Sequence, residues 1–199
     1  MKEFDTVADE FCAFLERAES MKRSTFVDTT LKILPLLYLK ASMLPKCEMI
    51  GDESPETYVT EEIYEVLRIN LASILAEKDD YLEVFLPDMA YSDEPIKKNI
   101  SEDLADIYQD IKDFIFVFQL GLNETMNDSL AICQENFGLL WGQKLVNTMR
   151  ALHDVKYSPK ARGEDEEEEE YEPENNEDCH CEDDDCHCHD HGCHCHDDE

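Results

Sequence analysis

The chain has 199 residues and carries 49 acidic against 17 basic residues, a formal net charge of −32 at pH 7. This length allows one main domain and an appendage. Nucleic acids and anionic membrane surfaces repel so acidic a chain, so neither is expected as a partner. The most apolar run, residues 33–44, is interrupted by Pro35 and Lys40 and is too short to span a bilayer.

The N-terminal stretch and the cysteines favour a cytoplasmic location. The first twenty residues lack the basic start and the uninterrupted apolar stretch of a secretory signal. Six of the nine cysteines lie within 17 residues near the end of the chain. A disulfide framework would spread its cysteines across the fold that it staples, so reduced thiols are expected.

Residues 1–156 show apolar side chains three and four positions apart, the spacing of a buried helix face. The first predicted helix buries Phe4, Val7, Ala8, Phe11, Phe14, Leu15 and Ala18. A second is expected over about 24–43, with a kink at Pro35, which lacks an N–H group and crowds the preceding turn. The proline and glycine at 51–55 predict a loop after it.

A third helix is predicted after Thr60, whose hydroxyl suits an N-cap and is followed by Glu61 and Glu62, which complement the helix dipole. Its predicted apolar face consists of Ile63, Val66, Leu67, Leu71, Ile74 and Leu75. Residues 79–100 mix aromatic side chains with two prolines. They are predicted to form an ordered loop anchored by its aromatics, with a short helical turn after Ser92.

The fourth helix is expected over about 101–120 with a stop at Gly121, and the last helix over about 124–152. The fourth is predicted to bury Leu104, Ile107, Tyr108, Ile111, Phe114, Ile115 and Phe118. The last is predicted to bury Met126, Leu130, Cys133, Phe137, Trp141, Leu145, Met149 and Leu152. Gly138 and Gly142 share a face of this helix and indicate either a close helix contact or a kink.

These patterns predict an all-α protein with one bundle of about five helices in residues 1–156. No alternating run is long enough for a sheet. Residues 157–178 form an acidic stretch with almost no large apolar side chains. They cannot bury enough surface to offset the entropy of ordering. We therefore predict a disordered linker at 157–178 and a disordered Cys/His-rich tail at 179–199.

The tail reads CHCEDDDCHCHDHGCHCHDDE and repeats a Cys-His-Cys triplet that begins at positions 179, 186 and 193. Thiolates and imidazoles select zinc, copper and nickel over magnesium and calcium. The predicted metal ligands are Cys179, His180, Cys181, Cys186, His187, Cys188, His189, His191, Cys193, His194, Cys195 and His196.

Twelve ligands at four per tetrahedral ion allow about three Zn²⁺. Ligands at every position or every second position offer many competing chelates, which favours exchangeable binding or bridged clusters over a rigid finger. Zn²⁺ is the expected ion, with Cu⁺ and Ni²⁺ as alternatives. A low-complexity extension with incidental metal affinity is the other interpretation of the tail.

The predicted bundle offers few candidates for chemistry. Asp103, Asp106, Asp110 and Asp113 form one stripe along the fourth helix. Because the apolar stripe of that helix claims the core side, a solvated face is predicted, with a hard-cation site as the alternative. No nucleophile elbow, phosphate-binding loop or dinucleotide fingerprint is present, so no enzymatic activity is expected.

Four stretches resemble a bacterial helical family known as a domain of unknown function (five-zero-six-three). They are ILPLLYLKASMLP at 33–45, YLEVFLPDMAYSDEP at 81–95, ISEDLADIYQDIKDF at 100–114 and NFGLLWGQKLVNTMRALH at 136–153. The resemblance covers about residues 1–155 and implies an all-α domain. It implies no activity, substrate or catalytic residue, and the Cys/His-rich tail lies outside it.

Two functions follow as hypotheses. The leading one is a non-enzymatic cytoplasmic helical protein whose tail binds transition metal ions as a buffer, a store or a delivery arm. The alternative is a helical protein–protein interaction module with an unknown partner, in which the tail is ancillary. In that case the acidic residues Asp88, Asp93 and Glu94 of the 79–100 loop are the expected docking surface.

Overall fold

A computed structural model of the protein describes residues 2–52, 54–83 and 96–158. The all-α prediction is confirmed. The helices are α1 (Lys2–Glu16), α2 (Arg23–Ser42), α3 (Glu61–Leu75), α4 (Ile100–Gln119), α5 (Asn123–Asn136) and α6 (Gly142–Tyr157). In the described residues, α5 continues through a helical turn into α6 without a break. When α5 and α6 are counted as one helix, the bundle has the five helices expected. The predicted tail and nearly all of the predicted linker lie outside the described residues.

The central helix of the bundle is α4, which contacts α1, α3, α5 and α6. Helix α2 packs against α1 and α6. The apolar face predicted for α4 is confirmed, with Leu104, Ile107 and Ile111 fully buried and only Phe118 partly exposed. Burial of this face against several helices is what holds α4 at the centre of the core.

Helix α1 is held to its neighbours by aromatic contacts. Its Phe14 stacks on Phe26 of α2, with ring centroids 5.6 Å apart. Its Phe4 contacts Phe114 of α4, with ring centroids 5.4 Å apart. Such pairs add to the free energy that area burial alone provides. The predicted buried face of α1 is confirmed, apart from a partly exposed Val7.

The cap predicted for α3 is confirmed, because the Thr60 hydroxyl accepts a hydrogen bond from the Ile63 N–H at 3.3 Å. One residue of its predicted apolar face is wrong, since Val66 is 56% exposed. At roughly 100° per residue, Val66 lies to one side of the arc that contains Leu67 and Leu71. The spacing of apolar residues therefore predicted burial for Val66, although this residue lies just outside the buried face of α3.

The last predicted helix is interrupted by a five-residue π-turn, Phe137–Trp141, which separates α5 from α6. The Gly142 N–H donates to the Phe137 carbonyl, five residues back. A Cβ on Gly142 would lie 2.3 Å from that oxygen, whereas a Cβ on Gly138 would have nothing within 4 Å. The two glycines thus mark a local deformation of the helix and not a contact with another helix.

A short two-stranded antiparallel ribbon precedes α4, formed by β1 (Asp80–Leu82) and β2 (Lys97–Asn99). The predicted loop is therefore wrong at these six residues, although Tyr81 is buried as an aromatic anchor. Asp79 ties the ribbon to α4, because its carboxylate accepts from the Ser101 N–H and hydroxyl, each at 2.7 Å. The helical turn predicted after Ser92 lies outside the described residues.

No helix among the described residues combines the length and the apolar character needed to cross a membrane.

Candidate functional site

A cavity of about 450 Å³ lies beside α4, between that helix, α5 with its π-turn, and the loop 54–57. We call it the α4 cavity. Its lining includes three carboxylates of α4, those of Asp106, Asp110 and Asp113, and the carboxylate of Glu56 in the loop. Its apolar lining is formed by Phe114, Val117, Ile132 and Leu140.

The solvated face predicted for the aspartate stripe is wrong. Asp103 is only 4% exposed, and Asp106, Asp110 and Asp113 are partly buried. The physical reason is the central position of α4, which contacts four other helices and so leaves little of its circumference facing water. The stripe therefore lies partly inside the bundle.

Two of these carboxylates connect α4 to other helices. Asp106 accepts a hydrogen bond from the Tyr64 hydroxyl of α3 at 2.8 Å, and it forms an ion pair with Lys144 of α6. Asp110 accepts from the Asn136 side-chain amide of α5 at 2.6 Å. Buried and half-buried carboxylates need such partners to offset their lost hydration.

The other two carboxylates bond to the chain segments before α3 and before α4. Asp113 accepts from the N–H groups of Tyr58 and Val59, at 2.7 and 2.8 Å. Asp103 accepts a hydrogen bond from the hydroxyl of Tyr81. The four aspartates together thus form hydrogen bonds or ion pairs with α3, α5, α6, the ribbon and the segment before α3.

Burial sets the acidity of the site. Desolvation raises the pKa of Asp110, and the charges of Asp113 and Asp106 raise it further, while the Asn136 hydrogen bond lowers it. Desolvation also raises the pKa of Asp113, against the two backbone N–H groups that it accepts from. Among the described residues of the cavity lining, Lys144 is the only cation, against the four carboxylates of Glu56, Asp106, Asp110 and Asp113, so the described lining is net negative.

The geometry of the stripe does not suit a single metal ion. Asp106 and Asp113 are seven residues apart, a rise of about 10 Å along the helix, whereas the oxygen ligands of Mg²⁺ or Ca²⁺ lie about 2.0–2.6 Å from the ion. No group of three or more His, Cys, Asp or Glu among the described residues is placed to hold a metal ion. The twelve predicted ligands at 179–196 lie outside those residues.

The cysteines that the structure describes, Cys12, Cys47 and Cys133, are free thiols. Cys133 lines the α4 cavity. Desolvation raises the pKa of Cys12 and Cys133, so both stay protonated and poorly nucleophilic at neutral pH. Cys12 and Cys133 are buried in the hydrophobic core of the described domain.

Sequence reasoning recognised the aspartate stripe and missed the cavity. One sequence feature pointed to the buried aspartates: α4 carries an apolar face and an acidic face, which together take up most of its surface. A helix with that pattern is either exposed on one side or surrounded, and a single sequence does not distinguish the two. The contributions of α5 and α6, Asn136 and Lys144, had no sequence signal because they come from more than twenty residues away.

Fold and site define the protein as an all-α bundle with an acidic cavity along its central helix. The family model described as a domain of unknown function (DUF5063) matches residues 1–158. The chain therefore belongs to that family, which confirms the resemblance drawn from its sequence. The residues after 158 lie beyond the match.

The structure is similar to the crystal structure of protein BF1032 from Bacteroides fragilis. The two are 91% identical, the match covers 80% of this chain and 94% of that chain, and the TM-score is 0.72. No curated protein is significantly similar to the chain.

Proposed function

We propose that this is a non-enzymatic, cytoplasmic helical protein whose tail, residues 179–199, binds transition metal ions as a buffer, a store or a delivery arm. One observation carries the proposal: six cysteines and six histidines lie within the 18 residues 179–196. Zinc is the leading ion because thiolate and imidazole are its usual ligands. Nickel and copper(I) are the alternatives.

Charge and ligand density support the same function. Residues 163–199 contain 19 acidic residues and no lysine or arginine, which raises the local concentration of cations. Densely spaced ligands allow an ion to exchange among many chelates, which suits a buffer or a delivery arm better than a structural site. In the described part of the bundle no group of ligands is placed for a metal ion, so we assign the metal capacity to the tail.

Native mass spectrometry of the full-length protein titrated with Zn²⁺ tests this function. We expect about three ions per chain in the full-length protein, since four ligands complete a tetrahedral site. A 1–162 truncation should hold none tightly. Equal and low occupancy in both proteins would show that the proposal is wrong.

Two full-length variants serve as matched controls, because they keep the length of the tail and all of its aspartates and glutamates. One replaces the six tail cysteines with serine, and the other replaces the six tail histidines with glutamine. Loss of zinc in the serine variant with retention of nickel would show that thiolates hold the zinc and imidazoles suffice for nickel. Unchanged zinc occupancy in both variants would contradict the assignment of the tail as the ligand.

A second candidate function is a protein–protein interaction module, and one observation on α2 favours it. Leu36, Leu39 and Met43 share a helix face and are 43, 51 and 67% exposed. Exposed apolar side chains grouped on one face are typical of an interaction surface. The acidic docking surface predicted at Asp88, Asp93 and Glu94 lies outside the described residues.

Co-purification from native cells separates the two functions. An interaction module keeps its partner when residues 163–199 are deleted and loses it when Leu39 is replaced by Glu. A metal buffer shows the opposite pattern, because metal content falls with the deletion and is unaffected by Leu39→Glu.

A further inference from the structure

The α4 cavity has features that the proposed metal function does not use. Its volume, about 450 Å³, lies within the range typical of small-molecule sites. Its lining comes from three separate parts of the chain and combines apolar side chains with carboxylates. We propose that the α4 cavity binds a linear aliphatic diamine or polyamine.

Charge directs the cavity towards a cation. Lys144 pairs with Asp106 and so neutralises one of the four carboxylates in the described lining, the others being those of Glu56, Asp110 and Asp113. In Asp110 and Asp113, Oδ1 is the atom that accepts the hydrogen bonds from Asn136 and from the backbone, and no described residue donates to Oδ2. Two carboxylate oxygens therefore remain available to accept from ammonium groups.

Spacing favours an extended ligand over a compact one. Asp106, Asp110 and Asp113 lie on one face of α4, with rises of about 6 and 4.5 Å between successive members. An extended three-methylene segment, as in spermidine, separates its nitrogens by a distance close to the rise of about 4.5 Å between Asp110 and Asp113, the two carboxylates with an available oxygen. Such a ligand can contact both carboxylates at once.

The apolar wall accounts for the carbon chain of the ligand. Phe114 and Val117 of α4 face the cavity together with Ile132 of α5 and Leu140 of the π-turn. Methylene groups packed on this wall gain the free energy of apolar burial, which a hydrated metal ion would not. An anionic ligand is disfavoured because the described part of the lining is net negative and its lysine, Lys144, is already paired with Asp106.

Calorimetric titration of the full-length protein with putrescine and with spermidine, at near-physiological salt, tests the proposal. The acidic tail also attracts polyamines, so variants that carry the same tail must be compared. Asp110→Asn combined with Asp113→Asn removes two charges from the cavity and keeps the oxygens that accept the hydrogen bonds. Asp9→Asn combined with Glu10→Gln removes two charges from exposed positions of α1 and is the matched control.

We expect one saturable site per chain whose Kd rises at least about ten-fold in the Asp110/Asp113 variant and less than about two-fold in the Asp9/Glu10 variant. Leu140→Trp, which adds bulk at the cavity lining without changing its charge, should weaken binding as well. Circular dichroism confirms that each variant is folded.

Equal affinity in the wild-type protein and the Asp110/Asp113 variant would overturn the proposal, since binding would then belong to the tail. Absence of a saturable site for both amines would do the same. A lysine-rich hexapeptide that binds in a cavity-dependent way, while the free amines do not, would replace the small amine with a basic segment of a partner protein. None of these results depends on the metal occupancy of the tail.

Discussion

Asp103 lies beneath the ribbon, where the Tyr81 hydroxyl donates to its carboxylate. Burial raises the pKa of Asp103 from 3.8 to about 6, against the opposing effects of the Tyr81 hydrogen bond and the charge of Lys144. The folded protein therefore binds a proton at this carboxyl between about pH 4 and 6 that the unfolded chain releases. This residue makes the unfolding free energy fall as the pH rises through that window.

The substitution Asp103→Asn should raise the unfolding free energy at neutral pH by about 1 kcal/mol, because it removes the cost of a buried charge and keeps an acceptor for Tyr81. Near pH 4 the two proteins should be nearly equal in stability. Urea denaturation at both pH values measures the difference. A variant that is less stable than the wild type at neutral pH would contradict this account.

At the scale of elements, the π-turn between α5 and α6 is the feature that departs most from a regular helix. Its wide turn brings the Phe137 carbonyl close to the Cα of Gly142. The same turn directs Trp141 into the core, where its indole N–H donates to the Cys133 carbonyl at 3.0 Å. The deformation thus places the largest buried side chain of the bundle.

The two glycines at the π-turn form a matched pair of substitutions. Gly142→Ala should lower the unfolding free energy by about 1–3 kcal/mol, because its methyl group would overlap the Phe137 carbonyl. Gly138→Ala meets nothing within 4 Å and should raise it by up to about 1 kcal/mol through higher helix propensity. Thermal and urea denaturation of both variants check the signs. Equal effects of the two substitutions would show that the Phe137 contact does not matter.

At the scale of the whole molecule, metal binding and folding are separate in the proposed function. The last described helix ends at Tyr157, and the first proposed ligand is Cys179. A ligand stabilises a fold only when it binds the folded state better than the unfolded one. Ions bound by the tail are therefore not expected to change the free energy of unfolding of the bundle.

Saturating Zn²⁺ should accordingly leave the thermal midpoint of the bundle unchanged, compared with the same protein in a chelator. Circular dichroism of the helical signal during heating measures this, with the 1–162 truncation as the reference. A midpoint several degrees higher in the full-length protein with zinc would show that bundle residues take part in binding.

Much of the helical architecture follows from local sequence. Apolar spacing located each helix, and the caps at Thr60 and Gly121 were readable because capping depends on a side-chain hydroxyl and on positive φ at one residue. The metal hypothesis for 179–196 has the same local origin, since ligand type is a property of the residues themselves. These features depend only on residues close together in the chain, so they can be predicted from the sequence alone.

Tertiary structure decided the features that depend on what surrounds a residue. The aspartate stripe was visible in the sequence, but its burial depends on the four helices packed around α4. The pairing of Asp80 with Asn99 and of Asp106 with Lys144 joins residues far apart in the chain, and no local pattern specifies such pairs. The α4 cavity exists only because distant segments meet there, and so its acidity and its proposed ligand emerged from the folded molecule.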